Sequence, residues 1–132
     1  MATVITCNYT GDNQTELVHG PTGARITTDL PPDNGGKGRT FSPTDLFAAS
    51  LASCALTIMA KLAQREGADF SGAAIEVEKV MAAEPPRRVA EFRLKVKLPQ
   101  GIAPEKREKY LAGIKACPVH MSLHPDVKVS WQ

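Results

Sequence analysis

The amino-acid sequence predicts an α+β protein in which mixed or antiparallel sheets surround one long buried helix. Three observations support this prediction: short strand-like segments separated by turns in the first third, a charge-free run of fifteen residues at 46–60, and alternation of apolar and charged residues at 91–98. Strands grouped before and after a helix are typical of α+β folds. With 132 residues, 42% of them apolar and 23% charged, the chain can bury one core, so we expect a single domain over 1–132.

The first third of the chain predicts a meander of three strands. Strand-forming residues occupy 3–9, 15–18 and 25–30, and glycine, asparagine, aspartate and proline separate these segments. The run 31–37, Pro-Pro-Asp-Asn-Gly-Gly-Lys, contains no apolar side chain apart from its two prolines. It therefore predicts an exposed loop between the third strand and the next element.

A long helix is predicted to begin at Ser42, because a hydroxyl cap is followed by Pro43 and by the acid Asp45 in the first turn. Gly67 supplies its stop signal. Except for its last turn and a half, this helix is apolar or small nearly all the way round. We expect it to be buried against a sheet on one side and against another surface on the other. A chain of this length can hardly enclose it alone.

The second half of the chain predicts two strands, a helix and a closing strand. The strands at 73–80 and 91–98 flank a proline-containing turn, and the alternation in the second one predicts one face in the core and one in water. A helix is predicted from Pro104 to about residue 116. Cys117 then begins a short helical turn, and a last strand covers 127–131.

The charge, the hydropathy pattern and the cysteines exclude several classes of protein. A net charge of +2 is too small for a surface that follows a phosphate backbone, so we expect no nucleic-acid partner. The charge-free run is shorter than the roughly 20 residues that span a bilayer, so we expect no membrane association. The N-terminal residues lack the pattern of a secretion signal, and three widely spaced cysteines do not resemble a disulfide framework. These features predict a cytoplasmic protein.

Cys117 and Cys54 are the candidate reactive groups. Cys117 precedes Pro118, which favours the first helical position, so Cys117 is predicted to cap a short turn where free backbone N–H groups could lower its pKa. Cys54 lies within the buried helix, where it is either a small core residue or a reactive thiol that needs a cation from another element. Cys7 has no neighbour that favours reactivity and is interpreted as structural.

A metal site is a weaker alternative for part of this region. Cys117, His120 and His124 form a C-x2-H-x3-H spacing, in which the two histidines would share a helix face if the turn lasted long enough. No fourth ligand is evident, and Pro125 follows at once. We therefore expect no metal and rank solvated or capping histidines above metal ligands.

Two runs of sequence resemble one known family. The first is 41–59, Phe-Ser-Pro-Thr-Asp-Leu-Phe-Ala-Ala-Ser-Leu-Ala-Ser-Cys-Ala-Leu-Thr-Ile-Met, and the second is 116–123, Ala-Cys-Pro-Val-His-Met-Ser-Leu. In residues, spacing and order of elements they resemble the OsmC/Ohr family, the osmotically induced and organic-hydroperoxide-resistance proteins. The resemblance spans nearly the whole chain.

The resemblance implies an OsmC-like fold in an intertwined homodimer, with the active sites at the interface. In peroxidase members the first cysteine attacks a hydroperoxide, and the second condenses with the resulting sulfenic acid to a disulfide that a dithiol, often lipoyl, reduces. These roles carry over to Cys54 and Cys117, with no bound cofactor. The resemblance thus implies a thiol-dependent peroxidase that reduces organic hydroperoxides. The alternative is a non-catalytic OsmC-like protein that binds a small ligand in the same interface pocket.

One departure from the family pattern affects the activation of the thiol. The best-defined peroxidases have a glutamate ten residues before the first cysteine, where it holds an arginine against the thiolate, but here that position is Thr44. Asp45 is an imperfect substitute because it lies about 100° round the helix. Arg39 and Arg25 are the candidate cations. The candidate walls of the substrate pocket are Phe41, Phe47, Leu51 and Met121.

Overall fold

The computed structural model describes every residue from Met1 to Gln132. The chain divides into two compact units, Met1–Leu46 and Phe47–Gln132. The expectation of one domain over 1–132 stays a prediction. The predicted α+β class with mixed and antiparallel sheets is confirmed, because each unit contains a three-stranded sheet and helices follow in the second.

The first unit is built on the predicted meander. Strands β1 (Ile5–Gly11), β2 (Gln14–His19) and β3 (Arg25–Asp29) form an antiparallel sheet in that order. At the first hairpin, Asp12 and Asn13 both have positive φ angles, 52° and 64°. This backbone is typical of the tight turns whose twist matches that of paired strands, and aspartate and asparagine tolerate it better than most residues.

An ion-pair cluster anchors the exposed loop that follows β3. Arg39 donates from Nε to Asp29 Oδ2 at 2.7 Å and from Nη2 to Asp29 Oδ1 at 3.2 Å, and its backbone N–H also donates to Oδ2 at 2.8 Å. Arg39 and Lys37 both reach Asp12. The bonds to Arg39 hold the pKa of the buried Asp29 carboxyl at about 2. The loop is therefore fixed to the sheet at its C-terminal end.

The first unit has no apolar core of its own. Its buried residues are all polar, and several large apolar side chains lie in solvent. The buried residues are Thr28, Asp29 and Ser42, and the exposed ones are Met1, Val4, Ile5, Tyr9, Ile26 and Phe41. A small sheet without a covered apolar face is marginal in water, so this unit needs an additional surface to be stable.

The long helix α1 (Pro43–Arg65) begins and ends where the sequence predicts. The Ser42 hydroxyl accepts the backbone N–H of Asp45 at 3.0 Å, and the Asp45 carboxylate accepts the backbone N–H of Ser42 at 2.9 Å. This is a reciprocal cap with an aspartate in place of the usual glutamate. Beyond the last turn, Gly67 adopts a φ of 73°, which favours glycine and redirects the chain.

The second unit contains a mixed sheet, with antiparallel β4–β5 and parallel β5–β6 pairing. Its strands are β4 (Ala74–Met81), β5 (Val89–Lys97) and β6 (Lys128–Trp131), and its remaining α-helices are α2 (Arg107–Ala112) and α3 (Pro118–Met121).

The single helix predicted from Pro104 to about 116 is wrong in detail. It is divided into a 3-10 turn, α2 and a second 3-10 turn that begins at Gly113. Glycine disfavours the interior of an α-helix, and at Gly113 the chain changes to the tighter 3-10 turn.

One face of α1 forms the core of the second unit. Its buried residues recur every third or fourth position and pack with the inner face of β5 and with Tyr110 and Ile114. They are Ala48, Leu51, Ala55, Met59 and Ala63. The opposite side of α1 is largely uncovered in the protomer, with Ser50, Ser53 and Thr57 exposed. By length and composition α1 could also cross a membrane, but the core helix of a soluble protein has the same features.

The Asp29–Arg39 pair yields a pH-dependent prediction. We expect Asp29→Asn to lower the thermal unfolding midpoint by several degrees at pH 7, because a buried carboxylate that accepts four hydrogen bonds becomes an amide. Since folding lowers the pKa of Asp29 from 3.8 to about 2, its contribution is complete above pH 3.8 and is lost as the pH falls toward 2. Thermal unfolding followed by circular dichroism at pH 7, 4 and 2.5 measures this. The difference in unfolding midpoint between wild type and Asp29→Asn should become smaller as the pH falls.

The matched control is Glu105→Gln, an exposed acid on the first 3-10 turn of the second unit. This substitution should leave the midpoint within about a degree of wild type at each pH. A wild-type midpoint for Asp29→Asn at pH 7 would show that the cluster does not stabilise the fold.

Candidate active site

Cys54 lies on α1 at the edge of the buried face. It is half-buried and packs against the apolar cluster that contains Leu51, Phe92 and Cys117. Ser53 and Thr57, its neighbours on the helix, are exposed. The Cys54 thiol is therefore held by a rigid element, with part of its surface free to meet a small molecule.

Cys117 lies in the same cluster but is fully enclosed, with 0% of its surface exposed. As predicted, it caps α3: its backbone is extended, Pro118 follows at the first helical position, and the Cys117 sulfur accepts the backbone N–H of His120 at 3.4 Å. The N-terminus of α3 thus fixes the direction of this thiol.

The structure brings the two thiols together. Cys54 packs against the apolar cluster that contains Cys117. The expectation of a lowered pKa for Cys117 is wrong. Burial raises the pKa of Cys117, and the nearby Cys54 thiol raises it further, whereas the backbone N–H of His120 only partly opposes them. Cys117 therefore tends to keep its proton beside Cys54.

A groove of about 510 Å³ opens beside Phe47, in the N-terminal half of α1. Its apolar wall includes Phe47, which stacks edge-on against the buried Phe92 with ring centroids 5.1 Å apart. Val89 belongs both to this groove and to the cluster around Cys117. The full lining is Phe47, Pro86, Arg88, Val89, His124, Asp126 and Val127. The volume suits a small organic molecule.

The other predicted pocket residues differ in exposure. Leu51 is completely buried in the core, so its side chain offers no free surface in the protomer. Met121, at the end of α3, is 72% exposed, and Phe41 in the first unit is 54% exposed. Phe47 is the one of the four that lines the groove. The role of all four as pocket walls stays a prediction.

The predicted charged residues all have partners within the first unit. Arg39 is held by Asp29 and Asp12, and Arg25 pairs with Glu16 on the neighbouring strand β2. Asp45 contributes to the cap of α1. Their approach to the thiolate stays a prediction.

The structure does not bring the three residues of the metal alternative together. No group of three histidine, cysteine or acidic side chains converges on a position that could hold a metal ion. Helix α3 ends at Met121, so His124 lies beyond it and does not share a helix face with His120. The exposed His124 instead accepts the backbone N–H of Asp126 at 3.1 Å.

Comparison with known proteins identifies the family of this chain. Residues 36–132 match the family model of OsmC-like proteins. The chain belongs to the OsmC-like family. A structure from Psychrobacter arcticus 273-4, provisionally described as an osmotic stress induced and detoxification response protein, is 41% identical over 100% of this chain and 97% of that one, with a TM-score of 0.90. No curated protein sequence gives a significant match.

More distant structures share the OsmC-like fold. An organic hydroperoxide resistance protein OsmC from Legionella pneumophila is 20% identical over 99% of this chain and 95% of that one, with a TM-score of 0.79. The organic hydroperoxide resistance protein OhrB of Bacillus subtilis is 17% identical over 100% of this chain and 97% of that one, with a TM-score of 0.74. At identities of 20% and 17%, the structural similarity establishes a shared fold and nothing about activity.

His120 was not predicted as a neighbour of the thiol in its own right. Its ring packs edge-on to Trp131, with centroids 6.3 Å apart, and its Nδ1 is enclosed without a hydrogen-bond partner. The C-x2-H spacing contains the signal, because residues three apart along a helix lie on the same face. From the sequence alone, that spacing indicates only a metal motif or solvated or capping histidines.

The different burial of the three cysteines predicts their order of modification. With iodoacetamide at neutral pH we expect Cys7, which is exposed, and Cys54, which is half-buried, to be alkylated while Cys117 stays unmodified. Peptide mass spectrometry over time measures each site, and alkylation in denaturant provides the control in which all three react. Modification of Cys117 before Cys54 in the native protein would contradict the enclosed position of Cys117.

Proposed function

We propose that this protein is a thiol-dependent peroxidase that reduces organic hydroperoxides at Cys54 and resolves the product with Cys117. The observation that supports the proposal most directly is the pair of neighbouring thiols, one half-exposed and one enclosed, on two elements of the same unit. Two distant relatives with this fold are named organic hydroperoxide resistance proteins.

In the first step, the Cys54 thiolate attacks one oxygen of the hydroperoxide. The S–O bond forms, the O–O bond breaks, and the alkoxide leaves as an alcohol after taking a proton. Cys54 suits this step better than Cys117 because part of its surface is accessible, whereas Cys117 is enclosed and its raised pKa favours the thiol form. The product is a sulfenic acid on Cys54.

In the second step, the Cys117 sulfur attacks the sulfenic sulfur of Cys54. The S–S bond forms, the S–O bond breaks, and the hydroxyl leaves as water. A disulfide needs Cβ atoms about 3.5–4.5 Å apart, and the packing of both thiols in one apolar cluster favours this approach. An external dithiol, for which a lipoyl group is a candidate, then supplies the two electrons that restore both thiols.

The groove beside Phe47 supports an organic rather than an inorganic peroxide as substrate. Phe47, Val89 and Val127 provide apolar surface for a hydrocarbon group, and hydrogen peroxide would gain nothing from it. Phe47 and Val89 also contact or belong to the cluster that holds the two thiols. We propose that the organic part of the substrate lies in this groove.

Arg39 is the more firmly held of the two candidate cations, and its approach to the Cys54 thiolate stays a prediction. In the family's peroxidases a glutamate fixes the arginine, and here Asp29 fixes Arg39 through two hydrogen bonds although Thr44 cannot. Arg25 instead pairs with Glu16 at an exposed strand position. Asp45, which is engaged at the cap of α1, is not needed for this role.

We further propose that the protein is an intertwined homodimer and acts in the cytoplasm. The first unit leaves large apolar side chains uncovered, and α1 leaves one side uncovered, so each protomer exposes surface that a second copy could bury. Three free cysteines suit a reducing compartment.

Sedimentation tests the dimer. At low micromolar concentration we expect a single species of about twice 14.2 kDa, because the first unit lacks a buried apolar core. Replacing an exposed apolar residue of that unit, Ile26→Asp, should shift the equilibrium toward monomer, whereas the polar exposed control Thr27→Asp should shift it less. A stable, well-folded wild-type monomer at this concentration would contradict the intertwined assembly.

The cysteine variants test the chemistry. Cys54→Ser should abolish consumption of cumene hydroperoxide, because a serine hydroxyl is not ionised near neutral pH. Cys117→Ser should consume about one equivalent, accumulate a sulfenic acid on Cys54 that dimedone traps, and over-oxidise in excess peroxide. Peroxide assays combined with mass spectrometry separate these outcomes.

Cys7→Ser is the matched control for these variants and should turn over like wild type. Peroxide-treated wild type should contain a Cys54–Cys117 disulfide that dithiols reverse. If wild type loses no thiol with any hydroperoxide over minutes, the proposal fails, and non-catalytic binding of a small ligand in the same pocket becomes the better account.

A further inference from the structure

The disulfide-forming step requires a proton acceptor close to Cys117. A thiol is a poor nucleophile, and burial together with Cys54 raises the pKa of Cys117, so water alone does not readily ionise it there. The leaving hydroxyl of the sulfenic acid also needs a proton to depart as water. One group that accepts the first proton and donates the second would serve both needs.

His120 is placed to be that group. It is the third residue after the N-cap Cys117, and its backbone N–H donates to the Cys117 sulfur at 3.4 Å. Residues three apart along a helix lie on the same face and are neighbours. The two residues therefore share one turn of α3 and one side of it.

The ring of His120 has an unused polar atom. Its Nδ1 is enclosed and has no hydrogen-bond partner, which is costly for a polar group unless it is used at another stage. The ring packs edge-on against Trp131, and the Lys115 ammonium lies 5.6 Å from the centroid of the Trp131 ring. Trp131 thus fixes the imidazole without supplying a hydrogen bond to Nδ1.

We infer that His120 transfers the proton in disulfide formation between Cys117 and the Cys54 sulfenic acid. This inference rests on the proposed peroxidase function. Neutral His120 accepts the proton of the Cys117 thiol through Nδ1 as the Cys117 sulfur bonds to the Cys54 sulfur. The S–O bond of the sulfenic acid breaks, and the imidazolium returns the proton to the departing hydroxide. The products are the disulfide, one water and neutral His120, so no further oxidant or reductant is needed.

Two substitutions separate proton transfer from packing. His120→Asn keeps a polar side chain near the position of Nδ1 but cannot take up a proton at neutral pH, and His120→Phe keeps a ring against Trp131. Each reduced protein is mixed with one equivalent of cumene hydroperoxide, quenched at intervals, and analysed by mass spectrometry for dimedone-trapped sulfenic acid and for disulfide. The matched control is His124→Asn, the exposed histidine beyond α3.

We expect both His120 variants to form the Cys54 sulfenic acid at the wild-type rate and to convert it to disulfide about 100-fold more slowly, in the range that general acid–base catalysis contributes. His124→Asn should match wild type in both steps. A wild-type rate of disulfide formation in either His120 variant overturns the inference and leaves the peroxidase proposal intact.

A role limited to holding the fold would give a different pattern. Slow resolution in His120→Asn together with normal resolution in His120→Phe would assign His120 to packing and overturn proton transfer. If both variants fail to form the sulfenic acid and unfold at a lower temperature than wild type, His120 is likewise assigned to packing and proton transfer is overturned. Absence of any thiol loss in wild type would overturn the peroxidase proposal and the His120 role together.

Discussion

The packing of α1 against β5 determines where the reactive groups of the second unit can lie. Leu51, Ala55 and Met59 have no exposed surface, so the helix cannot rotate or slide without opening the core. Cys54 is carried at the edge of this face, and Cys117 completes the same cluster from the other side. The packing of the core, and not a mobile loop, therefore determines how far apart the two sulfurs lie.

The exposed side of the same helix affects stability. A helix that is apolar or small on most sides gains from any surface that covers it, and the protomer covers only one side. The sheet of the first unit buries polar residues and leaves apolar ones uncovered. Both features leave apolar surface in water in the protomer, which costs stability.

Local signals predicted most of the fold. The meander, the start of α1 at Ser42 and its end before Gly67 all follow from turn and cap chemistry that acts within a few residues. The helix expected from Pro104 to about 116 differs because α2 ends at Ala112 and the chain continues from Gly113 as a 3-10 turn. Glycine is a weak helix former, but one glycine inside a helical pattern does not reveal whether it divides the helix.

The sequence predicted which residues form the candidate site, but not the direction of the pKa shift at Cys117. Cys54 and Cys117 were found from the motif, and the cap at Cys117 from Pro118. The direction of the pKa shift at Cys117 depends on burial and on a thiol more than sixty residues away, and neither is visible in a helix-cap pattern. Asp29 was missed because its bond to Arg39 crosses a loop of ten residues without periodicity.

The single tryptophan gives this site a built-in optical reporter. Trp131 contacts the ring of His120 on one side, lies under the ammonium of Lys115, and packs against both apolar clusters. Indole emission is sensitive to a nearby charge and to the polarity of its surroundings. A change in the charge of His120 or in the position of the Cys117 turn should therefore alter the emission of one chromophore, so the proposed redox cycle can be followed in real time without a label.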